Sequence, residues 1–480
     1  MPSLEVPVTS DDVFDVIVIG AGPVGKIATA RAVRGGLSAV VVERRLVGGE
    51  CGYYGCIPSK ALLWPMELAA AVGRMPGVEL ADPIDAAAVT ARRDEFVGHY
   101  DDGPQVSRVE RLPATFVRGQ GRLAGARRVR VTAPDGEVRT LEARHAVVLA
   151  TGSDPVIPDI PGLRDAKPWT NREATSVKEV PRRLVVIGGG PVGCEMAQAL
   201  RALGSEEVTV VVQEDRLLVR HEPFAGELLA QSFEGTGISV RLGRSVTRVE
   251  RPSVGGPVQV YLDDGSHLEA DEILTAAGRR ANVNDLGLET VGVDADGPLE
   301  VDATMRVKPV PEGWLYAVGD VNGRNLLTHM GKYQARVCCD AITARAKGLP
   351  DDAPAGRDIA DDFGAPQAIF TDPEIIAVGR VEAKAIADGF RVRTVEIDIS
   401  EVIGADLQAD RYSGRAKIVI DEDRRILLGA TFVGPGVVDH LHAATIAVTA
   451  EVPLDRLWHA VPAFPTTSEM WLQLLEAYGL

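Results

Sequence analysis

The stretch FDVIVIGAGPVGKIATARAVRGG, residues 14–36, decides the fold of this chain. It begins with an apolar run typical of a buried strand, continues into a glycine turn at 20–25 and ends in helix-forming sequence. In such a turn, Gly20 makes the tight bend, Gly22 lets the backbone approach a pyrophosphate, and Gly25 lets the helix pack on the strand. The stretch therefore predicts a Rossmann-like dinucleotide-binding domain.

The second predicted strand, residues 39–42, is followed by Glu43. This residue lies about 20 positions after the first glycine, where an acidic side chain accepts hydrogen bonds from an adenosine ribose. A solvated glutamate at a strand end is the alternative interpretation.

The same pattern recurs in LVVIGGGPVG, residues 184–193, and a further strand is predicted at 208–212. Here Gly188, Gly190 and Gly193 take the three glycine places. One glycine turn is a weak signal, but two in order, each between a strand and a helix, are a strong one. Two dinucleotide folds predict two dinucleotides, such as a bound flavin and a diffusing nicotinamide.

Composition and length favour a multidomain globular protein. The chain has 480 residues, enough for about three domains of roughly 150 residues each. Its apolar runs are far shorter than the roughly 18 residues of a membrane helix, and residues 1–12 lack the order of a signal peptide. The net charge of −17 argues against nucleic acid as a partner. We therefore expect a cytoplasmic protein with no membrane span.

Cys51 and Cys56 lie close together in GGECGYYGCIPSK, residues 48–60. Five cysteines in 480 residues do not make a secreted disulfide framework, so the pair is expected to be redox-active, catalytic or metal-binding. A closed zinc site needs about four ligands, and no second Cys pair or spaced His accompanies this one, so we predict no metal. A structural disulfide remains an alternative. The other cysteines are interpreted as small buried hydrophobes: Cys194, Cys338 and Cys339.

A helix predicted over 59–71 would bring its dipole to this pair and favour the reactive thiolate.

At this point the chain resembles the class I flavoprotein disulfide reductases, which include dihydrolipoamide dehydrogenase, glutathione reductase and mercuric reductase. The resemblance runs from Val13 to the C-terminus, and Cys51-x4-Cys56-Ile-Pro-Ser-Lys is its most specific marker. Its other markers are the two glycine turns, Glu43, ATGSDPVIPDIPG, AAGRRAN, YAVGDV and FTDPEIIAVG.

The resemblance implies an α/β fold with two Rossmann-like dinucleotide-binding domains and a C-terminal α+β dimerisation domain. The FAD-binding domain would comprise 12–164 and 283–352, the NAD(P)-binding domain 165–282, and the dimerisation domain 360–480, after a linker at 347–358. The protein would be a homodimer whose active sites are shared between subunits.

The resemblance also assigns roles to individual residues. Cys51 would meet the substrate and Cys56 the flavin, while Lys60 would pair with Glu195 beside the flavin and Glu469 would orient a catalytic base. FAD would lie against Gly20, Gly22, Gly25, Glu43, Gly49, Thr151, Gly152 and Asp320. NAD(P)H would lie against Gly188, Gly190, Gly193, Gln213 and Gly278.

The C-terminal motif departs from the family pattern. The family carries His-Pro-Thr-x-x-Glu, whose His, from the partner subunit, takes and returns the thiol proton; here Phe464 stands in its place and Glu469 remains. A positioned acid or base contributes about 10² to 10⁴ in rate, so an efficient disulfide exchanger would be handicapped. His459, nearby in sequence, is interpreted as a surface residue.

Two further departures concern the substrate and the coenzyme. Glu50 replaces the usual Thr, and Tyr53 and Tyr54 either line a flat site for an aromatic acceptor or pack in the core. At the end of the second nucleotide-binding strand, Val212 and Gln213 supply neither the acid that selects NADH nor an arginine pair for NADPH. The choice between the two coenzymes stays open.

We therefore expect an FAD-containing NAD(P)H oxidoreductase that reduces a quinone-like or small redox-active acceptor, because a quinone requires no His to shuttle a thiol proton. The first alternative is the reduction of a small-molecule disulfide or oxidation of a dithiol, as in dihydrolipoamide dehydrogenase. The second is a flavoprotein that has lost reductase activity and serves as a binding partner.

Overall fold

A computed structural model describes residues 9–253, 255–350 and 356–480. The N-terminal tail before residue 9 and the middle of the predicted linker, 351–355, lie outside the described residues. The chain divides into two compact units: the first comprises 1–57, 94–155 and 279–361, and the second 58–93, 156–278 and 362–480. Within the described ranges, no helix is long and apolar enough to cross a membrane.

The strands are, in chain order, β1 (Val13–Ile19), β2 (Ala39–Glu43), β3 (Ala114–Arg118), β4 (Gln120–Leu123), β5 (Arg128–Thr132), β6 (Val138–Leu149), β7 (Ser153–Pro155), β8 (Arg183–Ile187), β9 (Glu207–Val212), β10 (Ile238–Leu242), β11 (Val246–Glu250), β12 (Val258–Leu262), β13 (His267–Ala270), β14 (Glu272–Thr275), β15 (Arg279–Ala281), β16 (Leu315–Ala317), β17 (Gln367–Ile369), β18 (Glu374–Gly379), β19 (Val392–Asp398), β20 (Arg415–Asp421) and β21 (Ile426–Gly434). The α-helices are α1 (Pro23–Arg34), α2 (Gly49–Tyr53), α3 (Cys56–Gly73), α4 (Ala86–Phe96), α5 (Gly103–Glu110), α6 (Asn171–Thr175), α7 (Pro191–Ala202), α8 (Pro223–Gly235), α9 (Thr328–Ala346), α10 (Ala360–Phe363), α11 (Glu382–Ala387), α12 (Ile403–Asp406), α13 (Leu441–Thr449), α14 (Leu454–Leu457) and α15 (Glu469–Tyr478).

The first unit is built on one sheet with the strand order β3-β2-β1-β6-β5-β4. Strands β3, β2, β1 and β6 are parallel, and β16 runs parallel to the second half of β6, whose first half pairs with antiparallel β5. The last four residues of β1 are buried because both faces of a parallel sheet are covered, which explains the continuous apolar run that opens the sequence.

The described residues of the second unit form three sheets. Parallel strands in the order β10-β9-β8-β14 form the second nucleotide-binding sheet, and β11-β12-β13 form a small antiparallel sheet. The C-terminal region is an antiparallel sheet in the order β17-β18-β21-β20-β19. Its β20–β21 hairpin contains the stretch AKIVIDEDRRILLGATFVG, in which charged residues separate two apolar runs. The predicted α/β fold class is confirmed.

The helix predicted over 59–71 begins three residues earlier and ends two residues later, at Cys56 and Gly73. Pro58 does not stop it, because the N–H groups of the first turn have no partner within the helix and a missing one there costs nothing. Cys51 lies in the separate short helix α2, so the two cysteines occupy successive helices rather than one.

Candidate functional site

In the first glycine turn, Gly20 and Gly25 have no room for a side chain, whereas Gly22 does. Gly20 has a φ of +103°, and a Cβ on it would lie 2.4 Å from the carbonyl oxygen of Ala150. A Cβ on Gly25 would lie 1.8 Å from the carbonyl oxygen of Gly20, whereas the nearest neighbour of one on Gly22 is the Cα of Gly49, 4.0 Å away. The turn thus leaves backbone accessible at the N-terminus of α1, as a pyrophosphate requires.

Glu43 at the end of β2 is held next to this turn. Its Oε2 accepts a hydrogen bond of 2.7 Å from the backbone N–H of Ala21, and its Oε1 accepts one of 2.7 Å from that of Arg45. The side chain is buried. Glu43 is therefore not a solvated residue at a strand end, and its carboxylate is fixed beside the glycine turn.

Thr151, Gly152 and Asp320 lie on segments of the first unit that β15 and β7 bring together. The Thr151 hydroxyl donates to the carbonyl oxygen of Asn282 over 2.8 Å, and Gly152 has a φ of +72°. Asp320 Oδ2 accepts a 2.5 Å hydrogen bond from the hydroxyl of Ser153.

Arg279 joins this group, although it is not among the site residues predicted from the sequence. Its Nε donates to the hydroxyl of Ser153 over 2.7 Å, and its guanidinium lies 3.9 Å from a carboxylate oxygen of both Asp320 and Glu50. Glu50, the residue that departs from the family pattern, therefore lies close to a cation.

Cys51 and Cys56 lie side by side, with 2.6 Å between their Sγ atoms, and they are not joined by a disulfide bond. The hydroxyl oxygen of Thr328, the first residue of α9, lies 3.3 Å from Cys56 Sγ. The hydrogen bond to Cys56 and burial raise the pKa of the Cys51 thiol, while Thr328 and Lys332 act to lower it. The pair is close enough to form a disulfide, and its thiolate depends on nearby positive charge.

The two tyrosines of the cysteine loop differ. Tyr53 is buried, and its hydroxyl donates to the carbonyl oxygen of Val47 over 3.2 Å, so it packs in the core. Half-buried Tyr54 stacks on Tyr100 with ring centroids 5.5 Å apart.

In the second unit, Lys60 and Glu195 form the predicted ion pair. Lys60 Nζ lies 2.7 Å from Glu195 Oε2 and 4.7 Å from the ring centroid of Phe370. Glu195 Oε1 accepts a 3.0 Å hydrogen bond from the backbone N–H of Phe370. The Glu195 side chain is only 8% exposed, so both of its oxygens are fixed by protein groups.

The second glycine turn repeats the geometry of the first. A Cβ on Gly188, which has a φ of +116°, would lie 2.6 Å from the carbonyl oxygen of Ala276, and one on Gly193 would lie 2.2 Å from that of Gly188. No atom of the described residues lies within 4 Å of a Cβ built on Gly190. Backbone is again accessible at a helix N-terminus, here that of α7.

Gln213 and Gly278 lie at the edge of the same sheet. Gln213 follows β9 and is exposed, whereas Val212 before it is buried. Gly278 has a φ of +120°, and its carbonyl oxygen accepts a 3.0 Å hydrogen bond from the backbone N–H of Val156.

The C-terminal motif presents an apolar side chain. Phe464 is 74% exposed. Glu469 begins α15, and its Oε2 is buried without a hydrogen-bond partner among the described residues. His440, which sequence reasoning missed, lies 2.8 Å through its Nε2 from the hydroxyl oxygen of Thr467, and burial lowers its pKa. His459 is exposed, as predicted.

The described side chains contain no group of three or more His, Cys, Asp or Glu residues arranged to hold a metal ion.

Comparisons with known proteins agree with this geometry. The model of the pyridine nucleotide-disulphide oxidoreductase family matches residues 14–341, and that of the dimerisation domain of the same family matches 365–475. The dihydrolipoyl dehydrogenase of Chlamydia muridarum is 31% identical over 470 residues, covering 96% of each chain. That of Haloferax volcanii is 32% identical over 479 residues, covering 96% of this chain and 95% of the relative.

Among solved structures, the Cu(II) complex of the HOCl-induced flavoprotein disulfide reductase RclA from Escherichia coli has the same fold. Its TM-score is 0.82 at 22% sequence identity, and the match covers 96% of this chain and 99% of that one. The resemblance drawn from the sequence motifs is confirmed. The chain belongs to the pyridine nucleotide-disulphide oxidoreductase family and is an FAD-dependent oxidoreductase of that family.

Proposed function

We propose that this oxidoreductase binds FAD, takes electrons from NAD(P)H and uses them, with the Cys51–Cys56 pair, to reduce a quinone-like or other small redox-active acceptor. The observation that carries the proposal is Phe464. Its exposed ring occupies the place of the family's acid–base residue and has no proton to exchange.

The residues of the first unit fit FAD. The turn at Gly20 is open only at Gly22, and Glu43 is fixed beside it by two backbone N–H groups. Bound FAD would carry electrons between NAD(P)H and the cysteine pair. We assign it to 12–164 and 283–352, NAD(P)H to 165–282, and subunit contact to 360–480.

We infer the class of acceptor from the protons that its reduction requires. A disulfide substrate, once cleaved, leaves as a thiolate that needs a proton, and the family resemblance assigns that transfer to the residue at 464. A quinone takes up two electrons and two protons to become a hydroquinone, and its oxygens can take those protons from water. It therefore needs no residue to protonate a leaving sulfur.

Lys60 and Glu195 support retained reductase chemistry. The ion pair holds the ammonium of Lys60 at 2.7 Å from Glu195 and above the ring of Phe370. A protein kept only as a binding partner has no use for a cation fixed in this way.

We infer a homodimer from the match to the dimerisation domain and from exposed apolar side chains in that region. The C-terminal apolar patch consists of Ile403, Leu407, Val461 and Phe464, which are all more than half exposed. A Cβ on Gly404 would lie 2.1 Å from the carbonyl carbon of Thr466, so the segments that carry these residues pack together. An apolar cluster of this kind is typical of a subunit interface.

The proposal is tested by steady-state turnover of the holoenzyme with menadione, lipoamide and glutathione disulfide, using NADH and NADPH in turn. We expect menadione to be reduced fastest, with one or both coenzymes. Rapid reduction of lipoamide or glutathione disulfide together with slow menadione reduction would overturn it.

A small disulfide or dithiol is the second candidate substrate. The juxtaposed cysteines, the retained Glu469 and the similarity to dihydrolipoyl dehydrogenases favour it. Cys51→Ser separates the two candidates, because it abolishes disulfide chemistry, whereas electrons can pass from reduced flavin to a quinone without Cys51. Cys194→Ala, a change at a buried cysteine of α7, is the control.

A further inference from the structure

Two lysines of the first unit lie on helices that pack near the segments of the cysteine pair. Lys26 lies in the second turn of α1, and α1 begins against α2, since a Cβ on Gly49 would lie 2.8 Å from the Cα of Gly22. The Nζ of half-buried Lys26 donates to Gln105 Oε1 over 3.0 Å. The ammonium is therefore held within the first unit rather than extended into solvent.

Lys332 reaches the same region from α9. It lies one helical turn after Thr328, whose hydroxyl oxygen is 3.3 Å from Cys56 Sγ, and residues four apart share a helix face. Helices α1 and α9 are in close contact, because a Cβ on Gly331 would lie 2.6 Å from a methyl carbon of Val24. The packing of α1 against α9 at Val24 and Gly331 therefore brings the turns that carry Lys26 and Lys332 close together.

The two lysines and Cys51 interact electrostatically. Burial lowers the pKa of Lys26, Arg108 and Lys332 lower it further, and Cys51 raises it. Lys332 acts to lower the pKa of Cys51.

The other ionisable groups next to Cys51 in the chain and in space are Glu50 and Cys56. Glu50 precedes it in α2 with a carboxylate oxygen 3.9 Å from Arg279, and Cys56 is its redox partner. Arg108 on α5 adds a further cation to those of Lys26 and Lys332.

Because Phe464 cannot take the proton of the Cys51 thiol, other groups have to stabilise the Cys51 thiolate. The thiolate is the reactive form of a cysteine, and lysines next to a thiol favour it. We propose that Lys26 and Lys332 together stabilise the Cys51 thiolate of the reduced enzyme, so that one subunit supplies from its own helices the charge that its relatives draw from a partner's histidine. The inference rests on the proposed role of Cys51 as a redox cysteine and not on the identity of the acceptor.

The test measures the ionisation of the Cys51 thiol directly. The holoenzyme is reduced and freed of reductant under anaerobic conditions, and the rate at which iodoacetamide alkylates Cys51 is followed from pH 5 to pH 10 by peptide mass spectrometry. We expect Lys26→Met and Lys332→Met each to slow alkylation below the midpoint by about tenfold, which is one unit of pKa. Lys26→Arg and Lys332→Arg restore the charge and should restore the rate.

Lys347→Met is the matched control, because Lys347 is an exposed lysine directly after the same helix α9. Retained flavin absorbance shows that each variant is folded. The inference is overturned if both methionine variants have the alkylation profile of Lys347→Met, or if arginine fails to restore the rate at either position. If the proposed quinone-like acceptor is wrong, the error appears in the turnover assays with menadione, lipoamide and glutathione disulfide. The alkylation profiles are then unchanged.

Discussion

Phe464 is the single side chain at which this sequence departs from the C-terminal family motif. Phe464→His restores the motif His-Pro-Thr-x-x-Glu and offers Glu469, whose Oε2 has no partner among the described residues, an imidazole to orient. A positioned acid or base contributes about 10² to 10⁴ in rate. We expect lipoamide turnover to rise about 10²-fold or more and menadione turnover to change little, as measured by steady-state kinetics.

Phe464→Ala is the control, since it removes the ring without adding a proton carrier. Lipoamide turnover that rises equally in Phe464→Ala and Phe464→His would show that the ring blocks access and that the missing base is not the limit.

Glu374 is predicted to make stability depend on pH. Burial, followed by the carboxylates of Glu67, Asp439 and Asp372, raises its pKa from 4.5 to about 7 against a hydrogen bond from the backbone of Val438. The folded state then binds more protons than the unfolded state between these values, so the free energy of unfolding falls as pH rises from 4.5 to 7. One pKa unit is about 1.4 kcal/mol, so the fall is up to about 3 kcal/mol.

Urea unfolding at pH 5 and pH 7.5 measures this loss. Glu374→Gln should flatten it, because the amide stays neutral at both pH values, while Glu234→Gln, at an exposed position of α8, should leave it in place. An equal pH dependence in wild type and Glu374→Gln would contradict the assignment.

At the scale of the element, two substitutions in the second glycine turn should affect coenzyme binding and folding separately. Gly190→Ala adds a Cβ with no atom within 4 Å, so the protein should fold normally and the added methyl should raise the KM for NAD(P)H by crowding the pyrophosphate. Gly193→Ala places a Cβ 2.2 Å from the carbonyl oxygen of Gly188 and should destabilise the junction of β8 and α7. Coenzyme KM and melting temperature, measured for both variants, distinguish the effects.

Normal coenzyme KM in Gly190→Ala would show that this turn does not approach the coenzyme.

The elements that carry a local pattern were predictable from the sequence. An apolar run followed by a glycine turn marks β1 and β8, and charged residues between two apolar runs mark the β20–β21 hairpin. The short helix α2 was not predicted, because two of its five residues, Gly49 and Gly52, are of a type that disfavours a helix. The residues at which helices start and end depend on tertiary packing, which the periodic pattern of apolar residues does not determine.

At the scale of the whole molecule, the oligomeric state is the first expectation. We expect light scattering after size exclusion to give twice the chain mass. Leu407→Glu puts a charge into the C-terminal apolar patch and should give monomers, because an unpaired charge in an apolar interface is strongly unfavourable. Ile386→Glu, at an exposed residue of α11 that is not part of the patch, is the control and should leave the dimer intact. A dimeric Leu407→Glu protein would place the interface elsewhere.

The ordered pair of glycine turns and the cysteine motif predicted the domain types, because both are local in sequence. The contact of Arg279 with Ser153 and the contact of His440 with Thr467 join residues far apart in the chain. No local pattern reports such pairs, and they emerge only when the sheets have brought the segments together.

The proposed function depends on where the electrons of the reduced enzyme go. The most direct measurement mixes holoenzyme, reduced anaerobically with one equivalent of NAD(P)H, with menadione or with lipoamide in a stopped-flow instrument and follows flavin reoxidation. We predict that menadione reoxidises the enzyme at least about tenfold faster than lipoamide, since the missing acid–base residue limits only the second reaction. Faster reoxidation by lipoamide than by menadione would contradict the account.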